Sequence, residues 1–158
     1  MEVFNLLDGP VPDTADQPGY RHRRARVALE LGAELLGATL YEAPPGEKLW
    51  PYHWELGCEE FLVVVSGTPT LRTPEGERRL EAGEIVHFPK GPAGAHQLRN
   101  DSAEPFRVLI GATEVSVIVA GYPDSGKLMV GSPSHDFWKI VADSPELDYW
   151  LGETGPGV

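Results

Sequence analysis

Two runs framed by glycine, each carrying histidine, lie far apart in this chain of 158 residues. The first reads Gly46-Glu-Lys-Leu-Trp-Pro-Tyr-His53-Trp-Glu55-Leu-Gly-Cys-Glu-Glu60 and reaches Gly67 after six more residues. The second reads Gly83-Glu-Ile-Val-His-Phe-Pro89-Lys-Gly91-Pro-Ala-Gly-Ala-His96-Gln-Leu-Arg-Asn100. Imidazole and carboxylate together suit a divalent metal of intermediate hardness. Groups so distant in sequence meet only if a β-structure folds back on itself, which implies a site inside a barrel.

The rest of the chain agrees with that constraint. It holds 18 glycines and 15 prolines, and they fall between short apolar runs, so turns are frequent and the architecture is all-β. One domain is expected at this length, with enough apolar surface to need no staples. Strand candidates are Arg24–Leu31, Leu35–Tyr41, Glu60–Val65, Thr70–Thr73, Glu77–Leu80, Ile85–Phe88, His96–Arg99, Phe106–Gly111, Val115–Ala120 and Leu128–Gly131. The stretch from Leu29 to Gly37 also suits a short helix. Pro74-Glu-Gly76 reads as a hairpin turn. Residues 8–20 look like loop, and Gly121–Lys127 like a turn. In the tail, Ser144 and Pro145 suit the start of one helical turn, which Tyr149 and Trp150 would dock on the barrel.

Strand parity places side chains near the histidines. His53 and Glu55 share a face, with Tyr52 and Trp54 turned away, so these aromatics and Trp50 read as packing. Glu60, Leu62 and Val64 share one face of their strand, and Phe61, Val63 and Val65 the other. A strand apolar on both faces lines a barrel on one side and packs under a second sheet or a partner subunit on the other. Glu60 is then a carboxylate at the end of an apolar interior face, where a charge must be paired or bind a metal. Glu59 falls on the opposite face and reads as a surface carboxylate.

These motifs resemble those of the cupin superfamily: Gly, five residues, His-x-His, three or four residues, Glu, six residues, Gly; then Gly, five residues, Pro-x-Gly, two residues, His, three residues, Asn. The gaps Glu60–Gly67, Gly83–Pro89, Pro89–Gly91 and His96–Asn100 match. Gly46 stands one residue too far from His53, and four residues rather than two separate Gly91 from His96. Glu55 occupies the place of the family's second histidine. The resemblance implies a double-stranded β-helix, or jelly-roll barrel, over residues 24–120. An N-terminal arm (1–23) precedes it and a C-terminal strand, turn and tail (121–158) follows. It also implies a homodimer packed sheet on sheet.

On that resemblance His53, Glu55, Glu60 and His96 would hold one divalent metal. Two anionic ligands favour harder ions, so Mn²⁺ or Fe²⁺ comes first, with Zn²⁺ or Ni²⁺ next. The alternatives are that Glu55 points elsewhere and leaves three ligands, or that the cluster is hydrogen-bonded without metal. His87 is the one extra candidate for acid or base work, set against a core histidine. Asn100 reads as a turn former, and His22 and His135, in polar surroundings, receive no functional role.

The lone cysteine, Cys58, excludes an internal disulfide, and its acidic neighbours Glu59 and Glu60 disfavour a thiolate. A net charge of −11 argues against nucleic acid, and the basic run Arg21–Arg26 reads as a solvated edge strand rather than an anion site. No apolar stretch approaches the roughly 20 residues of a membrane span. The start lacks a signal-peptide pattern, so a cytoplasmic location is expected. A small-molecule ligand is the expected partner. Three functions stay open: a metal-dependent dioxygenase, isomerase or lyase on a small polar molecule; a non-catalytic binder of a sugar or organic acid; and a structural dimer with a vestigial site.

Overall fold

Short runs of alternating or doubly apolar residues become strands in the computed structural model, which describes residues 1–132, 135–148 and 150–152. In chain order they are β1 (Asp13–Ala15), β2 (His22–Ala25), β3 (Leu36–Ala43), β4 (Trp54–Glu55), β5 (Glu60–Ser66), β6 (Thr70–Thr73) and β7 (Gly76–Arg79). There follow β8 (Ile85–Phe88), β9 (Gln97–Arg99), β10 (Phe106–Thr113), β11 (Ile118–Tyr122), β12 (Lys127–Ser132) and β13 (Phe137–Ala142). The described residues also include one helical turn, α1 (Val27–Glu30), and a 3-10 turn (Pro92–Gly94).

Three sheets result, in the orders β1-β2-β3-β10-β5-β8, β7-β6-β9 and β13-β12-β11-β4. Every pairing between these strands is antiparallel. This is the expected all-β jelly-roll barrel. The core lies between the inner face of the six-stranded sheet and the three-stranded sheet. Leu62 and Val64 of β5, Val108 and Ile110 of β10, Leu71 of β6 and Leu98 of β9 meet there, with Phe106 fully buried. Each such side chain contributes roughly 1.5–3 kcal/mol by leaving water.

A second, smaller cluster of Val11, Ala25, Val27 and Leu40 forms with Phe4, Leu6, Val65 and Leu109. The N-terminal segment supplies this layer, and it also supplies strands β1 and β2 to the large sheet. Arg107 fastens it. Its Nη1 donates to the carbonyls of Leu6 (3.3 Å), Leu7 (2.9 Å) and Gly9 (3.1 Å), while its Nε donates to Glu42 (2.8 Å).

Several expectations need correction. The strand proposed for Arg24–Leu31 ends at Ala25 and gives way to α1. Helix-forming Ala, Leu and Glu follow Val27, and Gly32 at φ 73° ends the turn. Val115–Ala120 shifts forward to β11. No helical turn forms at Ser144, where residues 143–148 are irregular and exposed. A turn with no apolar face to bury is too short to hold itself. The segment read only as tail contains β13, paired with β12 from Ser132↔Phe137 to Lys127↔Ala142. Trp150 is 70% exposed, and Tyr149 lies outside the described residues. The turn at Pro74 forms as expected, closing β6 onto β7 with Gly76 at φ 130°.

Candidate metal centre

The two histidines are held as a cross-strand pair. The His53 N–H donates to the His96 carbonyl (3.2 Å) and the His96 N–H to that of His53 (2.8 Å). Residues paired in this way present their side chains on one face. Glu60 enters from the first position of β5. The surplus between Gly91 and His96 is taken up by the 3-10 turn. Gly94 within it approaches so closely that a Cβ would stand 1.8 Å from the Pro89 carbonyl oxygen.

Ligand atoms of His53, Glu60 and His96 all lie within 4.8 Å of one another. They line a cavity of about 180 Å³ with Tyr41, Trp50, Glu55 and Ile110. Each imidazole is anchored through Nδ1 to a carbonyl two residues back, His53 to Pro51 (3.0 Å) and His96 to Gly94 (2.9 Å). A carbonyl only accepts, so each Nδ1 carries the proton and each Nε2 is the bare nitrogen when the ring is neutral. Burial keeps the rings neutral. The His96 imidazole is pushed down to about 3, by burial first and then by His53. His53 is also lowered by burial, against the opposing pull of Glu55. Ring contacts restrict both: Phe88 stacks on His96 at 3.8 Å, and Tyr122 stacks on His53 at 6.0 Å.

Glu60 completes a cluster made of acceptors. Its Oε2 lies 3.7 Å from His96 Nε2, and among the described residues its carboxylate accepts no hydrogen bond. Burial, reinforced by Glu55, raises its carboxyl to about 7. Two bare imidazole nitrogens and a desolvated carboxyl group converge on one point, with no cation among the lining residues to offset the carboxylate charge. That donor set fits a divalent cation, which supplies the missing positive charge.

Glu55 lines the same cavity but stands outside the three-residue cluster. Its Oε2 accepts the Cys58 thiol at 2.8 Å. The Cys58 thiol is accordingly pushed up to about 12, by burial first and then by Glu55 and Glu60. The expectation that the thiol is inert gains a different cause, since Glu55 rather than Glu59 touches it.

Three other expectations change. His87 does not face the cavity: it is exposed on the outer face of β8, opposite Phe61. Ile85 is on that face too, while Val86 packs against the core. Trp50, read as packing, lines the cavity with its ring edge-on to His53 and His96. Tyr41 was missed by sequence reasoning. Only its strand parity with Thr39 and Ala43 hints that it faces inward. Trp54 packs over Gly121 and Tyr52 lies beneath the Arg72 guanidinium at 3.9 Å, so both are packing as expected. Asn100 does more than form a turn: buried, it donates to the Ala43 and Glu104 carbonyls and accepts from Ser102.

Comparison with known proteins bears on this geometry. Residues 39–111 match the Cupin domain family model. A provisionally assigned sugar phosphate isomerase from Acidithiobacillus ferrooxidans is 26% identical, with a TM-score of 0.75 over 83% of each chain. A sugar phosphate isomerase of the cupin superfamily from Silicibacter pomeroyi is 23% identical, with a TM-score of 0.75 over 86% of this chain and 90% of that one. The polyketide cyclase RemF from Streptomyces resistomycificus shares the fold at 21% identity and a TM-score of 0.57, over 72% of this chain and 79% of that one. Among proteins of curated function none matches. Residues 39–111 thus match a cupin domain, and the shared barrel supports assignment to the cupin superfamily.

Proposed function

We propose that this chain is a metal-dependent enzyme of isomerase type acting on a small hydroxy-carbonyl compound. His53, Glu60 and His96 hold the metal, and Glu55 stands behind them as an outer carboxylate. The observation that carries this reading is the cluster itself: two bare imidazole nitrogens and a buried carboxyl group converge within 4.8 Å of one another. Three protein ligands leave open positions for an oxygen of the substrate, and the metal supplies Lewis acidity there. Tyr41 is the cavity's remaining hydroxyl. Burial holds it protonated, so it can donate to a substrate oxygen in the cavity. Trp50 and Ile110 exclude water from one wall. The relative from Acidithiobacillus, described as a sugar phosphate isomerase, supports this class of chemistry.

The donor set also favours a second reading. Two histidines with one carboxylate and open positions suit non-haem Fe²⁺ and dioxygen chemistry. Glu55 decides between metals. As an outer group it leaves a cationic site, so Fe²⁺ moves ahead of Mn²⁺, with Zn²⁺ and Ni²⁺ behind.

Elemental analysis of protein purified without added metal tests the proposal, alongside Glu60→Gln and Glu55→Ala. About one equivalent in the wild type, lost in Glu60→Gln and retained in Glu55→Ala, is the expected pattern for a three-ligand site. Aldose–ketose interconversion without oxygen uptake upholds the isomerase, and substrate-linked oxygen uptake the second reading. No metal after reconstitution in any variant removes the enzyme proposal.

A further inference from the structure

The inner face of the large sheet continues past the cavity, and a cation stands on it. Arg24 of β2 pairs in register with Tyr41 of β3, so their side chains share a face. Tyr41 also lines the cavity that holds Glu60 and both histidines. Tyr41 therefore bridges the acceptor cluster and Arg24. His22 lies on the same face, its ring edge-on to Tyr41 at 5.5 Å.

Like Arg23 and Arg79, whose donors go to the Val11 carbonyl and the Thr68 hydroxyl, Arg24 hydrogen-bonds to no carboxylate among the described residues. Arg72, Arg78, Arg99 and Arg107 each donate to a carboxylate. The carboxylate near Arg24 is Asp13, whose Oδ2 lies 3.9 Å from Nε, too far for a hydrogen bond. The Arg24 side chain is 39% exposed and the chain around it carries a net −11, so an anion arriving there meets a local exception in a repulsive surface. A guanidinium with donors to spare is suited to the paired oxygens of phosphate or carboxylate.

We propose that Arg24, with the Tyr41 hydroxyl, binds the anionic group, phosphate monoester or carboxylate, of the molecule whose oxygens face the metal cluster. The substrate is then a small hydroxy-carbonyl compound with a charged end. This rests on the metal-centre reading for the other end of the molecule, while the anion site itself stands on Arg24.

Calorimetric titration of the metal-loaded protein with glycerol 3-phosphate and with glycerate, against glycerol as the uncharged control, tests it. At least one charged probe should bind more tightly than glycerol, and the tighter of the two identifies the anionic group. Arg24→Gln should weaken that binding by about tenfold or more, and Arg24→Lys by less, as expected for loss of a charge-assisted pair. Asp13→Asn removes the competing carboxylate and should tighten binding, a gain that a misfolded variant cannot mimic. Metal content should be unchanged in all three. Repeating the titration in Glu60→Gln separates the two readings: anion affinity that survives there yet falls with Arg24 upholds this site even if the metal proposal fails. Charged and uncharged probes binding alike, or Arg24→Gln and Asp13→Asn both leaving affinity unchanged, would overturn it.

Discussion

At the scale of single residues, the chemistry of the cavity is set by what each polar atom touches. Cys58 shows this plainly. Its thiol is buried and donates to Glu55, so the thiolate is disfavoured up to about pH 12. Native protein should therefore resist iodoacetamide at pH 8, while protein unfolded in guanidinium should be alkylated within minutes; mass spectrometry of the two reads the difference. Rapid alkylation of the native form would detach the thiol from Glu55. The histidines were legible in the sequence because their types and spacing announce them, and so was Glu60, a carboxylate at the end of an apolar face. Tyr41 was not. It enters the cavity because β3 lies two strands from β5 in the sheet, with β10 between them, and a chain read in order carries no sign of that adjacency. His87 failed for the converse reason. Strand β8 is antiparallel to β5 with Phe61 opposite His87, and the register turns both outward.

At the scale of elements, the 3-10 turn and the hairpin of β11 and β12 position the site. Gly94 leaves no room for a side chain and offers its carbonyl to His96 Nδ1. Gly94→Ala should lower metal affinity by roughly 10–100-fold, the usual effect of disturbing a ligand's hydrogen-bond partner, as read by chelator competition. An unchanged affinity would show that the turn does not set the His96 ring. The β11–β12 turn is tied to β6 by Arg72, which donates to both oxygens of Asp124 (2.6 and 2.8 Å). The pair holds the Asp124 carboxyl below its usual range. Its folded pKa being depressed, the pair contributes above the unfolded value of about 4 and is lost as pH falls below it. Half-exposed as it is, it is worth at most about 1 kcal/mol. Hydrogen exchange in residues 118–132 should rise in Arg72→Ala at pH 7, and the wild type should approach the variant below pH 4. Most strands were legible because Gly and Pro bracket their apolar runs. Strand β13 was not, since its six residues are all exposed and no burial pattern marks them.

At the scale of the whole molecule, the core and the surface make separate predictions. Phe106 is fully buried where β10 begins, against Gly67 at φ 77°, whose absent Cβ would stand 2.7 Å from the Phe106 Cα. Phe106→Ala should cost about 3–5 kcal/mol in urea unfolding. A loss below about 1 kcal/mol would mean that the barrel collapses around the gap. On the surface, Phe61 and Ile85 on the outer face of the large sheet, and Phe137, Trp138, Ile140 and Val141 on β13, are exposed apolar side chains. We propose that the chain is a homodimer that covers part of this surface. Light scattering should report twice the chain's 17.2 kDa, and a monomer at micromolar concentration would remove the proposal.

The latch made by Arg107 has a consequence in time. The carbonyls it grips belong to Leu6, Leu7 and Gly9, at the opposite end of the barrel's sequence. Contacts across so long a loop form slowly, because the chain must lose its freedom before they reward it. On the ribosome the first residues made must wait until Arg107 has emerged. The outer layer then closes only after β10 is made, and the apolar side chains of the arm, made first, wait longest for their partners.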